Sequence, residues 1–75
     1  NIREKSSIEI KFAKENFGIV TCLGYYIGLS TQSGKTYVNW TYCKEYFTRD
    51  EDFLSEFSAG VPIEDILEIK VLRHK

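Results

Sequence analysis

The chain is poor in the residues that most often do chemistry. Of its 75 residues one is histidine and two are cysteine, and His74 stands beside the C-terminus. A Cys–His or Ser–His pair needs its imidazole held by a third group within hydrogen-bond reach. Neither Cys22 nor Cys43 has a sequence context for that. Cys22, Cys43 and His74 make only three ligands where a structural zinc takes four, at spacings that fit no zinc pattern. Asp50-Glu51-Asp52 lacks the alternate-position ligands, the glycine and the distal glutamate of a calcium loop. The five glycines are scattered and form no phosphate-cradling loop. The expectation is a non-enzymatic protein without metal, cofactor or small-molecule substrate.

Other absences bound the class. No stretch approaches 18 apolar residues, so no membrane span is expected, and no signal peptide is visible. Two cysteines do not make a disulfide framework. They read as buried free thiols on strands, with a single bridge as the alternative, in a protein expected to be cytoplasmic. A net charge of −1 argues against gripping nucleic acid through bulk charge. Asn39-Trp40-Thr41 matches a glycosylation acceptor, but it lies inside a strand-patterned segment.

What the chain does have is aromatic residues, 15% of the total. At this length it is one domain, 1–75, that buries only about 60% of its unfolded surface. Large rings can offset the small size or face a partner. Ile8, Ile10 and Phe12 alternate with Ser7, Glu9 and Lys11, the period of a half-buried strand. Asn16 suits the following turn. From Phe17 to Leu29 both alternating faces are apolar: Ile19, Thr21, Leu23, Tyr25 and Ile27 on one, Val20, Cys22, Gly24 and Tyr26 on the other. Gly24 and Gly28 place bends inside this long strand. Thr31-Gln32-Ser33-Gly34 forms a turn, and Thr36, Val38, Trp40 and Tyr42 then alternate in a third strand.

After Phe47 the period changes. Thr48-Arg49-Asp50-Glu51 fits a capping box, Phe53, Leu54 and Phe57 recur at helical spacing, and Gly60 is a stop. This predicts a short helix at about 50–59, within an acidic helical insertion over 44–60 before the last hairpin. Val61-Pro62-Ile63 restarts extended structure. Leu67, Ile69 and Val71 form the closing strand, expected to pack against Ile8, Ile10 and Phe12. Residues 1–5 are expected to be disordered. The fold class is mainly β with one short helix: a small five-stranded SH3/Sm-like antiparallel barrel or strongly bent sheet. The alternative is an open α+β sheet.

Ile8-Glu9-Ile10-Lys11-Phe12, Phe17-Gly18, Leu23-Gly24-Tyr25 and Val61 through Ile69 together resemble the small SH3/Sm-like barrels of the YolD-like and WYL-domain type. The likeness covers about half the chain. It departs at 44–60 and lacks the Trp-Tyr-Leu signature of WYL domains. The resemblance implies a ligand-, nucleic-acid- or protein-binding module in bacterial regulation.

Two binding readings follow. The first is a protein-interaction or regulatory module, bacterial or phage, or a self-associating one. It would use Tyr26, Tyr37, Asn39, Trp40, Tyr42, Tyr46 and Phe47, with Asp50, Glu51 and Asp52 as a charged rim. The second is a barrel that binds single-stranded nucleic acid. It would stack bases on Tyr37 and Tyr26 beside Asn39 and Thr41, with Lys11, Lys35, Lys70 and Arg73 around them. The near-neutral charge ranks it below the first.

Overall fold

A computed structural model describes residues 2–43, 47 and 58–73. Five strands form one antiparallel sheet: β1 (Ser7–Lys14), β2 (Gly18–Gln32), β3 (Lys35–Thr41), β4 (Ser58–Pro62) and β5 (Ile66–Arg73). Their order across the sheet is β4-β3-β2-β1-β5. The fold is therefore mainly β, as its alternating patterns predict, and the described residues contain no α-helix. A 3-10 turn over Ile63–Asp65 joins β4 to β5.

That connection dictates the shape. β4 and β5 are the two outermost strands, yet only three residues link them. A flat sheet of five strands would hold its edges roughly 19 Å apart. Bending brings them together, and the turn lies against both β1 and β3. The edges are not hydrogen-bonded to each other, so the result is the strongly bent sheet and not a closed barrel.

The bend has a visible cause. Phe12 pairs across β1 and β2 with Val20, whereas Trp40 pairs across β2 and β3 with Tyr26. Six residues of straight strand span roughly 20 Å. The Phe12 and Trp40 rings nevertheless lie 5.8 Å apart, centroid to centroid. β2 must curl between these points, and Gly24 lies there. A Cβ on Gly24 would fall 2.5 Å from Trp40 Cδ1 and 2.8 Å from the Thr41 carbonyl oxygen. The bare glycine is the seat of the indole. A bulge follows at Tyr26–Gly28, where Gly28 takes a φ of +148° that L side chains rarely adopt.

Ile8, Ile10, Phe12, Val38, Trp40 and Val61 are the buried core, with Ile2, Val20, Cys22, Tyr26, Ile66, Ile69 and Val71 packed around it. The hairpin between β2 and β3 turns through Ser33 and Gly34, both at positive φ, as a two-residue primed turn requires.

Three expectations need correction. Residues 58–60 are strand and not helix: Ser58, Ala59 and Gly60 pair with Thr41, Trp40 and Asn39. The remainder of the expected helix, 50–57, lies outside the described residues. Residues 2–5 are placed against the sheet, because Ile2 packs on the core and the Lys5 N–H donates to the Tyr26 carbonyl at 2.8 Å. Leu67 does not join the core. Register shifts pair Phe12 with Ile66 and Ile10 with Ile69, so Leu67 is the extra, exposed residue of a bulge.

Gly24→Ala should destabilise the protein by about 3 kcal/mol, since the new methyl meets backbone and a buried ring. Gly28→Ala, strained only in its backbone, should cost about 1 kcal/mol. Chemical denaturation of the two variants measures the difference, and equal losses would remove Gly24 as the seat of the bend.

Candidate interaction surface

The inner face of the sheet carries the buried core, and the side chains most open to a partner are those the sheet leaves outside. The aromatic residues nominated from sequence divide sharply. Trp40 is 1% exposed and therefore belongs to the core, not to a partner surface. Tyr26 is half-buried, packs against that core, and its backbone exchanges hydrogen bonds with Lys5 and Ser6. Asn39 donates to the Gly28 carbonyl oxygen at 3.2 Å and to Ser30 Oγ at 2.9 Å. Its side chain holds the bulge in place. Tyr37 is half-buried and pairs with Pro62 on β4. Phe47 is half-buried with the Lys5 ammonium 5.7 Å from its ring centroid. Tyr46, Asp50, Glu51 and Asp52 lie outside the described residues.

Tyr42 is the nominated ring that reaches solvent, at 56% exposure. Its ring stands edge-on to Trp40, 6.2 Å away. Partial burial, and after it the neighbouring Cys22 thiol, push the Tyr42 hydroxyl above its ordinary pKa, while the Trp40 indole N–H pulls the other way. Neither cysteine forms a disulfide, and both are half-buried. The main chain just after β3 is fixed by Thr41, whose Oγ1 accepts from the Cys43 N–H at 3.1 Å.

Nor do the nominated basic residues, all of them among the described residues, gather into a groove. Lys35 Nζ is 3.2 Å from Glu64 Oε1 on the 3-10 turn, which raises its pKa through the hydrogen bond and then the charge. Lys70 Nζ is 3.9 Å from Glu9 Oε1, Lys11 sits opposite Glu68 and Arg73 opposite Ser7. Lysine and glutamate therefore alternate across β1 and β5. Such a surface lacks the continuous positive track along which a phosphate backbone runs. Tyr26 faces the core while Tyr37 does not, so the proposed stacking platform is not assembled either.

The outer face carries apolar groups the sequence reading did not nominate. Ile19 and Leu23 on β2 and Leu67 and Leu72 on β5 are all more than half exposed. Leu23, Tyr25, Tyr42 and Leu72 converge around Ser7 and Gly24 on a groove of about 320 Å³. Leu72 reaches it because it follows the core-packed Val71 and so points to the outer face of β5. The signal for Leu23 was present in the sequence as the second apolar face of β2. Leu72 carried a comparable signal, as the residue that follows Val71 in the alternation of the closing strand. A second cavity, of about 300 Å³, lies between Phe12, Trp40, Tyr42, Val61, Pro62 and Asp65.

No group of three or more His, Cys, Asp or Glu residues among the described residues could hold a metal ion. No helix among them is long and apolar enough to cross a membrane. No protein-family model matches the chain, and neither a curated protein nor a solved structure matches it.

Trp40→Ala should cost about 3–5 kcal/mol and abolish cooperative unfolding, whereas Tyr42→Ala should leave the fold intact; near-ultraviolet circular dichroism separates the two outcomes. Tyrosinate absorbance should show Tyr42 ionising above 10.0. Because the folded value is the higher one, the native state holds the proton longer than the unfolded chain. Stability should therefore fall as pH rises from about 10 toward the folded value, and Tyr42→Phe should remove that slope.

Proposed function

We propose that this chain is a non-catalytic binding module that engages another protein, with Leu23 and Leu72 as its anchors. The supporting observation is the convergence of Leu23, Leu72, Tyr25 and Tyr42 on one exposed groove. Large apolar side chains scattered singly on a surface need no explanation, but a contiguous set beside exposed tyrosine is the composition of an interface centre. The alternating charges of β1 and β5 form the polar rim that such a centre requires. The resemblance to small regulatory barrels points the same way, toward a bacterial or phage regulator. Two cysteines without a disulfide fit the reducing cytoplasm. The partner expected is a protein segment that inserts apolar side chains between Leu23 and Leu72, not a nucleic acid.

Affinity capture from the source cell, comparing the wild-type protein with Leu23→Lys and Tyr37→Ala, tests this reading. Leu23 is 61% exposed, so the lysine should alter stability by no more than about 0.5 kcal/mol. The partner should be lost with Leu23→Lys and retained with Tyr37→Ala. Unchanged capture by a folded Leu23→Lys protein, or salt-sensitive binding of single-stranded DNA or RNA by the wild type, would overturn the proposal.

A further inference from the structure

The sheet has two edges, and they are not equivalent. β4 is five residues long and ends in Pro62, which has no N–H to offer another strand. β5 is eight residues long, and no described strand pairs with its second edge. An unpaired edge presents backbone donors and acceptors to any strand of compatible sequence.

We infer that β5 pairs antiparallel with β5 of a second copy of this chain, about a two-fold axis through Ile69. The charges decide both the occupant and the register. A two-fold axis at Ile69 sets Glu68 opposite the second copy's Lys70, and Lys70 opposite its Glu68. Within each chain, Glu9 already pairs with Lys70 and Lys11 with Glu68. The resulting rows run Glu9, Lys70, Glu68, Lys11 across the two copies, alternating in sign at every strand. Opposite charges on directly facing residues stabilise a strand pair, and like charges destabilise it.

Neighbouring registers lose this match. Centring on Glu68 sets two glutamates face to face, and centring on Lys70 sets two lysines face to face. A one-residue slip moves every side chain to the wrong face. A symmetric, self-complementary patch of this kind is what an isologous dimer requires.

The edge of β5 and the groove have Leu72 in common, whereas Leu23 on β2 belongs to the groove alone. Sedimentation of the whole chain over a wide concentration range should show a reversible dimer. Glu68→Lys sets lysine against lysine, and Lys70→Glu sets glutamate against glutamate. Each variant alone should associate about tenfold more weakly. Mixed in equal amounts they should recover a heterodimer, because lysine at 68 and 70 of one chain then meets glutamate at 70 and 68 of the other. Leu23→Lys should dimerise like the wild type, which separates failure of this inference from failure of the groove. A wild type that stays monomeric at millimolar concentration, or a mixture of folded variants that does not associate, overturns the dimer. Should the charge variants fail to fold, amide exchange decides. Wild-type amides on the open edge of β5 should become more protected as concentration rises, and concentration-independent exchange there overturns it equally.

Discussion

The seating of the Trp40 indole on Gly24 is the contact on which the rest of this structure depends. Burying a whole indole removes 150–250 Å² from water, which at the usual coefficient contributes about 4–6 kcal/mol. For a domain this small, that is comparable to the entire net stability. The ring can be buried only if β2 offers a place without a side chain and bends around it. Once it does, Phe12 on β1 meets Trp40 on β3 across the curled strand, and Ile8, Ile10, Val38 and Val61 close the core around them. Among the described residues the indole N–H finds no partner of ordinary hydrogen-bond geometry, an unfavourable feature that the apolar burial outweighs.

Bending has a second consequence, at the other end of the strand order. To keep its apolar residues on the curved inner face, β5 shifts register twice along β1. The shift between Lys11 and Phe12 leaves Leu67 over and expels it to the outside, where Leu72 already stands by alternation with Val71. The exposure of Leu67 is thus a by-product of fitting an eight-residue strand to a curved neighbour. Between the shifts, Glu68, Ile69, Lys70 and Val71 remain regular, and they carry the alternating charges that β1 matches. Face and edge are distinct resources: one offers side chains, the other backbone groups.

Much of this was legible from residue order. The alternation Ile8, Ile10, Phe12 and its counterpart Val38, Trp40 name the inner faces of β1 and β3. Ser33-Gly34 marks the primed turn, and Pro62 marks an edge strand. The failures share one physical origin. Leu67 was assigned to the core because a strict period of two counts every residue equally, whereas a bulge removes one from the count. Ser58–Gly60 read as the end of a helix because capping chemistry and helical spacing upstream are local signals. Their pairing with β3 is a contact between residues far apart in the chain. Trp40 and Tyr26 were offered to a partner because the number of rings exceeded the expected core volume, and a strongly curved sheet encloses more than a flat one.

The sequence by itself determined that the fold is mainly β, with strands that alternate and turns where glycine, asparagine and proline place them. It also determined which side chains of β1 and β3 face inward, since alternation is a property of the extended backbone alone. Only the tertiary structure decided where the sheet bends, which residues the bulges expel, and that the basic residues are interleaved with acidic ones. Those outcomes depend on the register between strands, and register is fixed by how curvature accommodates one buried ring, a condition that no single strand carries in its own sequence.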